Sequence, residues 1–514
     1  MFDFTEPNLS STLLLTFAAI SLYPVVTVIY NLYFHPLRKF TGPILWRSSR
    51  LPYIISLVRG NLVLDQMKIH EKYGDVVRLA PNEISFTKEE AWNDIYVHRP
   101  GHADPTKDPV WYKAPDEMLQ NIVTSLDTER HARFRKALSA SFTETSLRNQ
   151  SPLIESFADL LIDRLNDLVM TSTSQENGTI VDIFQWASWF TVDVVGELAL
   201  GESFGCLANS ELHPWANTLN NFLKGMVYAA ATRWYPLIET MVFRLLPKSV
   251  MEMQRKHSEF ANDRINKRLN LEKQKPDFVA SFMKDNVDFH KISLKETQSN
   301  SAILLVAGTD ATATSISGTL LYLVQNPENL HKLVSEIRKT FHREADITIA
   351  TLRGLPYLNA VINEGLRLTN PVPGGLPRIV PPGGDIYADT FVPAGTSISV
   401  RPYAMSRCER YFSCPNEFHP ERWFPTGIRP YEFENDHHSV SQPFSTGHSN
   451  CIGKNLAWAE IRLVIARLLW AFDVAETGKR LDWTKLKTLM IIQKEPIMLR
   501  IKIREGIGEL RKAM

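Results

Sequence analysis

The stretch PFSTGHSNCIGKNLAW, residues 443–458, constrains this chain more than any other. Gly447 and Gly453 permit tight backbone geometry on both sides of Cys451, and KNLAWAEIRLVIARLLWAF follows with apolar residues at three- and four-residue spacing. The pattern predicts a loop that delivers one thiol to the start of a long buried helix. The orphan amide donors and positive dipole of such an end favour a thiolate and predict a lowered thiol pKa. On these residues alone Cys451 is a nucleophile, a redox thiol, a metal ligand or a small buried hydrophobe. The spacing His448-x-x-Cys451, with His437 and His438 nearby, also fits a zinc half-site.

The rest of the sequence bounds the setting of that loop. Its 514 residues, 44% hydrophobic and 22% charged, suffice for a large core. A net charge of +1 and the lack of a nucleic-acid module argue against nucleic acid as a partner. Four cysteines are too sparse for a disulfide framework and suit a reducing compartment; Cys206, Cys408 and Cys414 read as buried hydrophobes or bystanders. No charged residue occurs from Pro7 through Leu37, and Leu13 to Phe34 is long and apolar enough to span a bilayer. Arg38, Lys39, Arg47 and Arg50 follow it, which predicts an uncleaved anchor with the body of the protein on the cytoplasmic side. The expected division is a lumenal tip and anchor (1–34), a basic proline-containing connector (35–50) and one large domain (51–514). Helical patterns dominate from Glu129 to about Val334, and DTFVPAGTSISV, residues 389–400, reads as a hairpin. The fold class is predominantly α with small β-sheets, an α+β mixture.

Three further motifs stand out. In NEGLRL, Glu364 and Arg367 lie three apart on one face of a helix, and Arg422 in FHPERW can complete a charge-assisted network with them. In HARFRK, His131 and Arg135 lie four apart and can present two donors together. The apolar segment SNSAILLVAGTDATATSISGTLLYLV is interrupted by Gly308, Asp310, Thr312 and Thr314, which predicts a local opening of a buried helix.

Together with Phe444-x-x-Gly447-x-x-x-Cys451-x-Gly453, and in this order, these motifs resemble the cytochrome P450 family over nearly the whole chain. The likeness is to membrane-bound fungal enzymes of secondary metabolism, of the isotrichodermin C-15 hydroxylase type. The resemblance implies the P450 fold with an N-terminal transmembrane helix, and haem b held by His131, Arg135, Arg378, Phe444, Gly447, His448, Cys451 and Gly453, with Cys451 as iron ligand. It makes Glu364, Arg367 and Arg422 a structural network, and Asp310 and Thr312 the groups that deliver protons. It places Leu304, Ala307, Val372, Pro373, Leu376, Met490 and Ile491 around a substrate pocket, with Trp111 and Tyr112 in its lid. It further implies an endoplasmic-reticulum membrane protein with a cytoplasmic catalytic domain. Electrons would come from NADPH through cytochrome P450 reductase, with cytochrome b5 as a second donor, and Arg133 and Lys136 would form part of a basic docking surface. The implied reaction is oxygen-dependent oxidation of a lipophilic terpenoid or polyketide intermediate. The chain departs from the family twice: Ala311 stands where an alcohol is usual, and His448-Ser449 where Pro-Arg is usual. An alanine donates no hydrogen bond, so proton delivery would use ordered water, a substrate hydroxyl or Thr312. A haem-thiolate isomerase or dehydratase, which needs no reductase, is the alternative reading.

Overall fold

The computed structural model describes residues 9–114, 119–172, 178–245, 248–270, 277–280, 292–478 and 480–506. Residues 1–8 of the expected tip and anchor segment (1–34) lie outside the described residues. The apolar N-terminal stretch forms helix α1 (Leu9–Ile29), which passes into a π-turn over Tyr30–Phe34. Among the described residues, no helix is long and apolar enough to cross a membrane. The connector is docked rather than loose, since Pro36–Lys39 forms a 3-10 turn whose Leu37 is fully buried.

The helices that position the site follow from apolar stripes and caps. Helix α2 (Leu51–Val58) and α3 (Leu62–Tyr73) lead into strands β1 (Val76–Ala80) and β2 (Glu83–Phe86); the short β3 (Thr106–Lys107) comes next. Helix α4 (Thr128–Ser139) starts at Asp127, whose carboxylate accepts the Arg130 amide. Helix α5 (Glu144–Thr171), strand β4 (Thr179–Asp182) and the almost wholly buried α6 (Ile183–Leu200) precede the longest helix, α7 (Leu294–Gln325). A reciprocal capping box between Ser293 and Glu296 starts α7. Helix α8 (Pro356–Thr369) carries the NEGLRL motif, and α9 (Lys454–Ala471) follows the cysteine loop.

The strands form small sheets, as expected. Between α8 and α9 run β5 (Arg378–Ile379), β6 (Asp385–Tyr387), β7 (Thr390–Val392) and β8 (Ser397–Val400). The largest sheet has the order β1-β2-β8-β5-β3. The hairpin expected over 389–400 forms one segment earlier: β7 pairs with β6, while β8 joins β2 and β5. The reason is local, because Ala388 and Asp389 both have positive φ (45° and 61°) and make the tight turn whose twist suits a hairpin. After α9 come β9 (Phe472–Glu476), the β10 (Thr488–Leu489) and β11 (Ile491–Ile492) hairpin, and β12 (Met498–Ile503), which joins β4 to β9.

Helix α7 runs unbroken through the segment expected to open. Gly308 serves close packing instead: a Cβ there would stand 2.8 Å from Val195 Cγ2 of α6. The Thr and Ser residues are accommodated by donating to carbonyls one turn back, as Thr314 does to Asp310 O at 2.7 Å and Ser315 to Ala311 O at 2.9 Å.

Candidate active site

The cysteine loop is built by backbone geometry. Gly447 has φ +72°, and any Cβ on it would overlap the Tyr96 carbonyl, so glycine is required twice over. The Cys451 amide donates to Phe444 O at 2.8 Å and closes the loop. Arg135 of α4 holds the residue before the cysteine, donating through Nη1 to Asn450 O at 2.7 Å and through Nη2 to Asn450 Oδ1. Gly453, with φ in the ordinary range, has no such constraint: its Cβ would lie 3.9 Å from Phe142 and 4.0 Å from Cys451 Sγ, with no other neighbour in contact. Space beside the thiol is therefore left unfilled by protein. The lowered thiol pKa expected at this helix start is not found in the free thiol. Burial pushes it up, and the Gly453 amide, Arg135 and Lys454 offset this only in part. A cation bound to the sulfur reverses that balance.

Around the loop lies a set of basic groups, none of which forms an ion pair with a carboxylate among the described residues, although Asp104 lies near enough to act on His448. His131 and Arg135 share one face of α4, and the His131 ring meets the His448 ring edge-on at 6.1 Å. Burial, reinforced by Lys107, His448, Arg135 and Arg378, lowers the His131 pKa to about 4. Burial likewise lowers the His448 pKa, with Asp104 acting in the opposite sense. Arg378 is buried against Tyr96 and Tyr112, donating to the Tyr112 hydroxyl at 3.3 Å. Lys107, which carries no motif in the sequence, sits directly opposite Arg378 in the β3–β5 pair. Its Nζ donates to Ile122 O and Val123 O, both at 2.9 Å, and burial followed by Arg378 brings its pKa down to about 7. Like charges facing each other across a sheet oppose folding. An acidic group placed between them, such as the two carboxylates of a haem, removes the conflict. Together with the open space at Gly453 and a thiol poised for a metal, this donor set fits a haem. The zinc half-site does not form, because His437 pairs with Glu89 at 3.0 Å and His438 stacks on Trp423 at 4.6 Å.

The Glu364 network is formed in full. Arg367 donates to its carboxylate through Nε at 2.8 Å and Nη2 at 2.7 Å, Arg422 through Nε at 3.1 Å, and Trp423 through Nε1 at 2.9 Å. Burial alone would raise the Glu364 pKa, but the two arginines outweigh it and hold it down to about 2. Arg422 also pairs with Asp436, and Arg367 Nη1 donates at 2.6 Å to both Ser406 O and Pro415 O. The network ties α8 to the segment that leads to the cysteine loop.

On α7 the proton-delivery candidates are not brought together. Residues two apart on a helix point about 200° apart. Asp310 is held by Lys494, whose Nζ lies 2.5 Å from Asp310 Oδ2 and 2.8 Å from the Thr314 hydroxyl. Thr312 is buried on the other side, where its hydroxyl acts on the carboxyl of Glu460 of α9. Burial, only partly offset by Thr312, pushes Glu460 up to about 8, and its Oε1 has no hydrogen-bond partner among the described residues. Between these sides Ala307 is exposed although Leu304, Leu305 and Val306 beside it are buried, and Ala311 follows one turn on. Of the other pocket candidates, Leu304 and Pro373 are buried, Val372 is exposed, and Leu376, Met490 and Ile491 are half-buried. Trp111 packs edge-on against Trp234 at 5.9 Å, whereas Tyr112 belongs to the Arg378 cluster. Arg133 binds Glu296 through two hydrogen bonds, at 2.6 Å and 3.1 Å. Lys107, Lys494 and Glu460 were not legible as site residues; for Glu460 alone there was a signal, a single acid within an apolar helical run.

The cytochrome P450 family profile matches residues 43–501, and the chain belongs to that family. It is similar to cytochrome P450 monooxygenase lcsI of Purpureocillium lilacinum, with 37% identity covering 95% of this chain and 93% of the relative. Averantin hydroxylase of Dothistroma septosporum is 36% identical (94% and 90% covered), and versicolorin B desaturase of Aspergillus parasiticus 37% identical (90% and 93% covered). The chain is a P450 monooxygenase of the type that fungi use on secondary-metabolite intermediates, an oxidoreductase that draws its electrons from a reductase.

Proposed function

We propose that the chain binds haem b, is anchored in the endoplasmic-reticulum membrane, and hydroxylates or desaturates a lipophilic terpenoid or polyketide intermediate with electrons passed from NADPH by cytochrome P450 reductase. The observation that carries the cofactor is the basic set of Lys107, His131, Arg135 and Arg378, buried or half-buried beside the Cys451 loop and without a carboxylate partner among the described residues. When bound, haem supplies oxygen activation, which a thiolate ligand promotes. The chain's own residues supply position. Arg378, Lys107 and Arg135 would hold its carboxylates, and Cys451 Sγ would hold the iron. Ala307 and Ala311 give the pocket a face of α7 that donates no side-chain hydrogen bond. Protons then reach the site through ordered water or a substrate hydroxyl, with Asp310 and Thr312 flanking that face. Val372, Leu376, Met490 and Ile491 supply apolar walls suited to a lipophilic substrate.

The choice between hydroxylation and desaturation rests on the relatives, whose names include both. The membrane reading rests on the uncharged Pro7–Leu37 run, and on Phe17, Leu22, Tyr23, Val25 and Val26, which are more than half exposed. Reconstitution with reductase tests the function. Consumption of NADPH and oxygen with an oxidised product from a lipophilic panel is expected, and conversion that proceeds equally without reductase would mark an isomerase or dehydratase. Removal of residues 1–34 should release the protein from floated vesicles; retention would place the membrane contact elsewhere.

A further inference from the structure

Outside the active site, Cys414, Glu417 and His419 gather their ligating atoms within 4.8 Å of one another. We propose that this Cys-x-x-Glu-x-His loop is a zinc site. The three side chains offer a thiolate, a carboxylate and an imidazole, the donor types that tetrahedral zinc takes, and they leave a fourth position for water. Tetrahedral bonds of about 2.0–2.3 Å need donor separations of about 3.3–3.8 Å. His419 Nε2 and Glu417 Oε2 already stand 2.9 Å apart, so small side-chain rotations complete the geometry. Cys414 and Glu417 are exposed and His419 half-buried, which leaves the cluster open to an ion from solution.

The second observation is the loop's backbone, which the buried arginine network fixes along its length. Arg422 Nη2 donates to Cys414 O at 3.4 Å, Arg367 Nη1 to Pro415 O at 2.6 Å, and Arg367 Nη2 to Glu417 O at 3.1 Å. At the far end the His419 amide donates to Glu364 Oε1 at 3.0 Å. All three ligands therefore project from a segment whose ordering is complete before any ion binds, which lowers the entropy lost on binding. The His419 ring is further set by Phe433, 5.1 Å away. A zinc ion here would clamp the loop onto the network that holds the cysteine segment, and this assignment does not depend on the reaction catalysed.

Titration of the full-length, metal-stripped holoenzyme with zinc, in competition with a chromophoric chelator, tests the site. One equivalent should bind in the micromolar range or tighter. Cys414→Ser and His419→Gln should each weaken it by roughly tenfold or more, since loss of even an outer-shell partner has effects of that order; Cys408→Ser should change nothing. A measurement on the unaltered protein covers the case in which a variant does not fold: zinc should slow alkylation of Cys414 by iodoacetamide, read on its peptide by mass spectrometry. Equal alkylation rates with and without zinc, or affinities indifferent to both substitutions, would overturn the proposal.

Discussion

Single side chains decide whether the buried charges are an asset or a liability. Lys494 and Asp310 are almost wholly buried, and burial draws the Lys494 pKa down while Asp310 draws it back. Lys494→Met leaves Asp310 without its cation, a change that for buried pairs costs about 3–5 kcal/mol. Asp310→Asn in the same chain should restore most of that loss. Denaturant unfolding of the single and double variants measures both effects, and a loss unrepaired by Asp310→Asn would show that the pair is incidental. Glu364 gives a second prediction. Its pKa is held at about 2, below the ordinary 4.5, so its contribution is complete above pH 4.5 and vanishes as pH falls through about 2. Glu364→Gln should destabilise by about 3–5 kcal/mol at neutral pH and flatten the decline of stability between those pH values. An unchanged acid slope would remove Glu364 from the account.

Helix contacts were only partly legible in the sequence, and the reason is the same in each case. Periodicity identified α5, α8 and α9, because an apolar stripe records which face is buried. It gave no sign that Gly308 and Gly365 mark close approaches, since a helix's sequence does not record its neighbour's distance. A Cβ on Gly365 would overlap the Thr319 hydroxyl of α7, an oxygen that is buried without a hydrogen-bond partner among the described residues. Gly365→Ala should therefore destabilise by about 1–3 kcal/mol, and Thr319→Ala should relieve it; strict additivity of the two changes in denaturant unfolding would contradict the packing described. Lys107 was illegible for a related reason. Its place opposite Arg378 is fixed by pairing between strands about 270 residues apart, which no local pattern encodes. The hairpin shift is the converse: Ala388-Asp389 carries no glycine or asparagine to advertise a turn.

For the whole molecule, the order of the motifs is what the fold turns into a site. Strands β3 and β5, helix α4, the Arg367–Glu364–Arg422 network and the cysteine loop are distant in sequence, yet they converge on one thiol and one basic set that has no carboxylate partner among the described residues. The cysteine was readable at once, while the sign of its pKa shift was not, because burial is a property of the assembled protein. In the proposed function, Cys451 is the thiolate ligand of a bound haem. The most direct test is the reduced-plus-CO difference spectrum of the purified protein beside Cys451→Ser. A Soret band near ~450 nm in the unaltered protein, lost in the variant, is the predicted result. A folded, haem-supplied protein that shows no such band, or a variant that keeps it, would contradict the claim.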